Sequence, residues 1–538
     1  MARACGQTPH PVFVVGSALM ESKAAHNLKL TMKTLNAVLA AGVREFCICA
    51  GARNAPLIAQ LEITEGIRTF PFFDERSAAF FALGRMRSLN RPVAVVMTSG
   101  TAVAEALPAV IEAFYQGLPL LVLSADRPSR FRGTGAPQSI EQVGIFSSYV
   151  EKCLDLESES AEVEISGWSQ LLPLHLNLCL EEPSGLQPTE SLRASDQLPP
   201  PSSRHPQQNL HAFTLSKPVV IVGPLHEDEK KSVQDFLNQN EVPFVPEAPS
   251  ALTLEPQTWK RRILCAEKTL PHGFQSKVLG SVLRLGGVPT LRFWRDLEEK
   301  FSSIPVSSCS NQKFSGLARD VSHLMGIENL AHLRIRDPMS FAFLDRDQET
   351  FERLLILLQK YPRSEQALVR DFALASHEDH VYLGNSLPIR EWDLVSGDLP
   401  APNVWANRGA NGIDGQISSF LGWSQGVGPT AWALIGDLTA LYDLSAPWIS
   451  RALAPRSRRL CIINNFGGQI FRPLFKRDLF LNRHEINFEP WAAMWGWNYL
   501  SSKDGSIFKS SSLSHDQIIE IFPEEKSSEF FNQEWRAL

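Results

Sequence analysis

Two polar clusters lie 28 residues apart, each immediately behind an apolar run: Gly436-Asp437 after Ala431-Trp-Ala-Leu-Ile435, and Asn464-Asn465 after Leu460-Cys-Ile-Ile463. Short runs that are apolar at every position read as strands of a parallel sheet covered on both faces, and such sheets bind ligands at the carboxyl ends of their strands. A 28-residue interval holds one helix and a return strand. A carboxylate and an amide oxygen so placed suit Mg²⁺, a hard cation that takes a few oxygen ligands and completes its shell with phosphate oxygens and water. The same residues would also serve a helix cap at Asp437 and a turn over Asn464-Asn-Phe-Gly-Gly468. A third candidate is Glu75, in Phe72-Phe-Asp-Glu-Arg76, behind a short apolar strand and at a helix start. The helix dipole favours a carboxylate there whether or not it takes part in chemistry.

The elements that must position these residues alternate strand and helix from about Leu28 onward, which predicts an α/β fold of parallel sheets. The clearest unit is a strand over Pro92–Met97, a helix over residues 102–116 and a strand over Leu118–Ser124. A further strand over residues 174–180 closes the first domain. Residues 183–209 turn to Pro, Ser and Gln, a composition that builds no core and reads as an interdomain linker. A second block opens with a strand at Pro218–Gly223 and a polar helix over 227–240. The helical run over 352–359 bridges into a third, with strands expected at Val381–Leu383, Ala431–Ile435 and Leu460–Ile463. The boundaries so predicted are an extension over 1–27, expected to be disordered, a first domain over 28–186, a linker over 187–210, a central α/β domain over 211–350 and a third domain over 351–538.

A chain of 538 residues, 44% hydrophobic and 20% charged, with net charge −6, has the composition of a globular protein of several domains. It carries no bulk attraction to anionic polymers, so nucleic acid and anionic membranes are not expected partners. Eight scattered cysteines with no Cys-x-x-Cys spacing read as buried free thiols in a reducing compartment, which points to the cytoplasm. The apolar stretch Pro11–Met20 lies behind a single Arg3 and is followed by Glu21 and Lys23, a poor fit to a signal peptide.

Gly-Asp and Asn-Asn at this spacing resemble the metal–diphosphate motif of thiamine diphosphate enzymes, with Leu438 at the position of that motif's second glycine. The match sharpens in Cys49-Ala-Gly-Ala-Arg-Asn-Ala-Pro56, Ser124-Ala-Asp-Arg-Pro128, Gly384-Asn-Ser-Leu387, the run Asn407–Gly415, the run Gly436–Asp443 and Asn464-Asn-Phe-Gly-Gly-Gln-Ile-Phe471. In order over roughly residues 30–475, these resemble the 2-succinyl-5-enolpyruvyl-6-hydroxy-3-cyclohexene-1-carboxylate synthase family of menaquinone biosynthesis. Two positions depart from the family pattern: Ala52 stands where a serine is usual, and Pro137 where an asparagine often precedes Gln138.

The resemblance implies three consecutive doubly wound parallel-sheet domains of the thiamine diphosphate-enzyme type, the first binding the pyrimidine and the third the diphosphate. It implies a transferase that decarboxylates 2-oxoglutarate and joins the remainder to isochorismate, using thiamine diphosphate and Mg²⁺ or Mn²⁺. Glu75 would activate the cofactor through its aminopyrimidine. Thr98, Ser99, Gly100, Ile413, Gly436, Leu438 and Gln469 would contact the cofactor, with Ile413 propping its bent shape. Asp437, Asn465 and the carbonyl of Gly467 would hold the metal. Arg53, Arg127, Gln138, Arg292, Ser386, Arg390, Arg408, Ile470 and Phe471 fall at substrate-binding positions. Both substrates are dicarboxylates, and arginine is the residue suited to a carboxylate in a desolvated pocket. The arginine set also argues against the other reading of the same fold, an acetolactate synthase-like enzyme acting on pyruvate or another 2-oxoacid, because pyruvate carries one carboxylate. By family analogy the protein would be a homodimer or homotetramer, with each active site between the first domain of one subunit and the third of another.

Overall fold

The apolar runs become the strands of three wholly parallel sheets. The computed structural model describes residues 12–183, 188–198, 213–312, 314–337, 340–401, 403–475, 477–509 and 516–538. Two compact units divide the chain, residues 1–202 and 203–538.

The first unit holds β1 (Glu45–Cys49), β2 (Arg68–Phe72), β3 (Val93–Met97), β4 (Leu120–Asp126), β5 (Lys152–Leu156) and β6 (Leu174–Cys179). They pair in the order β2-β1-β3-β4-β6-β5. From β1 the chain goes to one side for β2, then to the other for β3, so the strand order reverses between β1 and β3. In doubly wound sheets that reversal opens a crevice beyond the strand ends, where ligands bind. The helix expected over 102–116 is two helices, Thr101–Glu105 and Leu107–Gln116, broken at Ala106. Pro108 lacks the amide needed to continue the first helix but fits the opening turn of the second.

The second unit carries two such sheets. The central one is built from β8 (Pro218–Val222), β9 (Phe244–Pro246), β10 (Ser281–Leu285), β11 (Val306–Cys309) and β12 (His323–Met325), ordered β12-β11-β10-β8-β9, beside a two-stranded pair of β7 (Phe213–Ser216) and β13 (Leu333–Arg336). The C-terminal one has β14 (His380–Leu383), β15 (Val404–Trp405), β16 (Thr430–Gly436), β17 (Ser457–Ile463), β18 (Asn498–Ser502) and β19 (Gln517–Ile521), ordered β15-β14-β16-β17-β19-β18. Its reversal lies between β14 and β16, the strands that lead into Asn385-Ser386 and Gly436-Asp437.

Three boundary expectations need correction. Residues 12–27 are not a disordered extension, because the helix Val12–Ala40 runs through them. Ala24 and Asn27 are buried, and the Asn27 side chain pairs with the backbone of Glu181 in both directions, at 2.8 and 3.1 Å. The expectation for residues 1–11 lies outside the described residues. The expected linker begins too early, since Glu65 and Arg193 form a parallel bridge and Leu192 and Ala194 join the first core; residues 199–212 lie outside the described residues. The boundary at 350 falls inside the helix Phe343–Lys360, whose first turn packs on the central core and whose later residues Phe351, Leu354 and Leu358 enter the C-terminal one. A helix shared by two cores gives no compositional signal of a boundary.

Candidate functional site

In the first unit Glu75 opens the helix Glu75–Leu89, directly after β2, with Asp74 capping the helix by accepting from Ser77 N at 3.0 Å. Its carboxyl is half-buried, and that burial, with Asp74 and Glu105 nearby, pushes its pKa above the ordinary carboxylate value. A carboxyl held nearer neutrality is suited to sharing a proton. The loops at the β1/β3 reversal carry Arg53 and Thr98-Ser99-Gly100. These loops touch: a Cβ on Gly51 would stand 2.6 Å from the Thr98 Cβ, so glycine is required for that approach. Thr98 and Ser99 are buried, and Thr98 Oγ1 has no hydrogen-bond partner among the described residues. Gln138 is exposed, in the left-handed region at φ 55°, with its Cα beside Gly100. Arg53 is buried and donates to Leu180 O at 3.1 Å and to Glu182 Oε2 at 2.7 Å; the same carboxylate oxygen lies 3.9 Å from Arg127 Nη1. One carboxylate therefore spans both guanidiniums.

In the second unit Asp437 is buried at the start of the helix Asp437–Tyr442. Its Oδ1 accepts from Leu438 N at 2.6 Å and its Oδ2 from Gly467 N at 2.9 Å, while His484 Nε2 stands 3.3 Å away. Gly467 has φ 137°, and a Cβ there would meet Leu481 O at 2.3 Å, so the chain can bring this amide to Asp437 only as glycine. The adjacent asparagines divide their work. Asn464 is structural: its amide donates to Glu520 Oε1 and Ile486 O. Asn465 donates its Nδ2 to Glu365 Oε2 at 2.9 Å, and its Oδ1 is buried without a partner among the described residues. An unpaired buried amide oxygen beside a buried carboxylate is a site prepared for a donor or a cation. The residues thus fit a hard metal. Gln469, Ile470 and Phe471 form the short turn that follows, and Gln469 donates to Asn465 O at 3.1 Å.

Asn385 gathers the remaining candidates of the C-terminal sheet. Its Oδ1 accepts from Arg408 Nη1 at 2.7 Å, and its Nδ2 donates to Asn407 O and Gly412 O, which closes the loop carrying Arg408 onto the one entering Ile413. Ser386, next in the chain, sits at φ 76° before the helix Leu387–Val395, and its carbonyl accepts from Arg390 Nη1. Arg390 and Arg292 both line a cavity of about 260 Å³ within this unit, with Glu247, Glu267 and Asp393 on its walls. Gly436 and Leu438 flank Asp437 at the end of β16.

The sequence residues therefore assemble in two groups. Glu75, Thr98, Ser99, Gly100, Arg53, Arg127 and Gln138 lie at strand ends and in the loop after β4 in the first unit; the others lie in the second. Asn385, Glu365, His484 and Gln142 were missed. Asn385 stands beside the recognised Ser386 in the chain, and polarity directly after a buried strand was the available signal for it. Glu365 reaches Asn465 from 100 positions away and has no local signal.

The family described as thiamine pyrophosphate enzyme, N-terminal TPP binding domain, matches residues 31–145, which covers β1 to β4 and Glu75. A protein of Bdellovibrio bacteriovorus named 2-succinyl-5-enolpyruvyl-6-hydroxy-3-cyclohexene-1-carboxylate synthase is 43% identical over 526 residues, covering 95% of this chain and 99% of that relative. This chain belongs to that synthase family. Relatives of the same name from Akkermansia muciniphila and a Roseiflexus species are 38% and 30% identical, covering 91% and 87% of this chain and 95% and 90% of their own lengths. The synthase family is one of thiamine diphosphate enzymes, and the parallel sheets described above have the architecture of that class. Among the described residues no helix is long and apolar enough to cross a membrane.

Proposed function

We propose that this protein converts 2-oxoglutarate and isochorismate to 2-succinyl-5-enolpyruvyl-6-hydroxy-3-cyclohexene-1-carboxylate with loss of CO₂, in menaquinone biosynthesis. Membership of the synthase family supports the reaction; the observation that carries the substrate class is Glu182, one carboxylate held between Arg53 and Arg127. A substrate carboxylate has the same shape and charge, and the guanidinium geometry that receives Glu182 suits it equally.

Thiamine diphosphate supplies the carbon nucleophile and the electron sink for decarboxylation. Glu75 hydrogen-bonds the aminopyrimidine and exchanges a proton with it. Thr98 Oγ1, Ser99 and Gly100 would contact the cofactor's pyrimidine, and Ile413 would support a bound cofactor by its bulk. Asp437, Asn465 Oδ1 and the Gly467 carbonyl would hold Mg²⁺ or Mn²⁺, and Gly436, Leu438 and Gln469 would contact the diphosphate. Arg53, Arg127, Gln138, Arg292, Ser386, Arg390 and Arg408 bind and orient the two dicarboxylates, and Ile470 and Phe471 cover their apolar portions. Seven described cysteines are free and six of them buried, in keeping with a cytoplasmic enzyme. The test is an assay with both substrates, thiamine diphosphate and Mg²⁺, the product identified by mass spectrometry. Product formation with 2-oxoglutarate and none with pyruvate is expected; turnover of pyruvate in its place would refute the reading.

A further inference from the structure

Gln142 lies outside every motif singled out in the sequence, yet it is fully buried at the centre of the first unit's site. Its Oε1 accepts from Gly100 N at 3.1 Å, and its Nε2 donates to Ala125 O at 3.0 Å and Asn177 Oδ1 at 2.7 Å. One primary amide thus joins three segments. Gly100 ends the Thr98–Gly100 loop, Ala125 precedes Asp126, whose carboxylate holds Arg127 N at 2.7 Å, and Gln142 itself follows the turn of Gln138. The turn and the loop are already close, because a Cβ on Gly100 would come within 3.3 Å of the Gln138 Cα.

The far side of Gln142 is rigid. Asn177 Oδ1 also accepts from Ser124 Oγ at 2.9 Å, and its Nδ2 donates to Asp126 Oδ2 and Asp155 Oδ1. Ser124 Oγ meets His175 Nε2 at 2.8 Å, and His175 Nδ1 meets Cys153 Sγ at 3.3 Å. Ser124, Asp126, His175 and Asn177 are buried on β4 and β6, with Cys153 and Asp155 on the neighbouring β5, so Gln142 has one orientation open to it: its oxygen must face Gly100, because both groups opposite its nitrogen are acceptors. Reversing the amide would set an acceptor against two acceptors and a donor against a donor, leaving buried polar groups unpaired.

We propose that Gln142 is a positioning residue for this reaction. It fixes the Thr98–Gly100 loop in register with Arg127 and Gln138, so that cofactor ring and substrate carboxylate are received in one geometry. This rests on the assignment of those three segments to the cofactor and substrates.

The test compares full-length Gln142→Met, which keeps volume and loses all three side-chain hydrogen bonds, with Gln142→Glu, which keeps an acceptor for Gly100 N. Gln142→Met is expected to raise the thiamine diphosphate Kd about tenfold, the loss of about one buried hydrogen bond. The KM for 2-oxoglutarate should rise with it, while kcat at saturation changes less than about threefold. Amide exchange of the peptide containing Gly100 should quicken in the Met variant and stay nearer wild type in the Glu variant. Wild-type Kd, KM and exchange in Gln142→Met would overturn the proposal. If that variant does not fold, exchange and Kd in Gln142→Glu decide: a Gly100 peptide as labile there as a free loop refutes the hydrogen bond's role. Asp437→Ala serves as the separate control. A cofactor Kd that responds to Asp437→Ala but not to Gln142→Met sinks the proposal alone, whereas insensitivity to both sinks the underlying assignment.

Discussion

Glu75 and the arginines make opposite demands on their surroundings. A proton-sharing carboxyl needs burial and like charges to lift its pKa, and Glu75 has both. Glu75→Gln keeps size and hydrogen bonding but removes the shared proton, so turnover should fall about 10²–10⁴-fold while the protein folds normally. The direct check is exchange of the cofactor C2 proton, which should slow in parallel; wild-type exchange would remove Glu75 from this role. The arginines need a fixed fork instead. Arg408 is half-buried and held by Asn385 Oδ1, whereas Arg390 is exposed at a cavity mouth and held by its own helix's first carbonyl. Truncating either to Ala should cut kcat/KM for one or both substrates at least about tenfold, with the larger loss at Arg408, because a carboxylate loses more by leaving a drier partner. Cofactor Kd should be unchanged in both variants. Equal, wild-type efficiencies would mean these two are surface groups.

At the scale of elements, the strands were legible because a parallel strand buried on both faces is a short apolar run: β3, β4, β6, β8, β16 and β17 all lie within about three residues of where such runs stand in the sequence. Elements with mixed composition were not. β2 contains Arg68 and Pro71, β5 begins with Lys152, and β18 is Asn498-Tyr-Leu-Ser-Ser502; each earns its place by pairing with a neighbour already in the sheet. The site divides in the same way. Asp437, Asn465, Glu75 and Asn385 stand shortly behind strands and could be read locally, while Gln142 and Glu365 act on residues 42 and 100 positions away, through contacts that only the fold creates. The β4–β6 network makes a further prediction at this scale. Burial lowers the His175 pKa to about 4, partly offset by Asp155. The unfolded imidazole titrates near 6.5, so between these values the unfolded chain binds a proton that the folded one refuses. Stability is therefore full above pH about 6.5 and declines as pH falls towards 4, by about 3 kcal/mol at most. Urea midpoints measured at pH 7 and pH 5 should differ, and His175→Gln should reduce the difference. An undiminished pH dependence in that variant would place the titration elsewhere.

At the scale of the whole molecule, six exposed apolar residues of the second unit follow shortly after Asn464-Asn465 in the chain. Leu474 is 70% exposed and Leu479 86%, with Phe471, Phe475, Phe480 and Ile486 also in solvent. This segment is not loose: Arg472 pairs with Glu525 and Glu529, Arg483 pairs with Glu525, and Phe475 stacks on Phe480 at 4.3 Å. Its inner side is anchored to the C-terminal helix Glu525–Ala537 while its outer side offers leucine and phenylalanine to water. Fixing two leucines in solvent forfeits roughly 1.5–3 kcal/mol each relative to burial, and a contiguous apolar surface of this kind marks a protein interface. A second copy of the chain is the partner that a homodimer or homotetramer supplies. Leu479→Asp would place a charge in that surface, where it must stay hydrated, and so should weaken association without touching the core, since Leu479 packs against none of it. Light scattering over a concentration series should therefore show wild-type protein at twice or four times the 59.9 kDa chain mass and the variant shifted towards one. Far-UV circular dichroism should be the same for both. A wild-type protein that is monomeric at every concentration, or a variant that assembles as tightly as wild type, would mean that this apolar surface is covered by something other than a second copy.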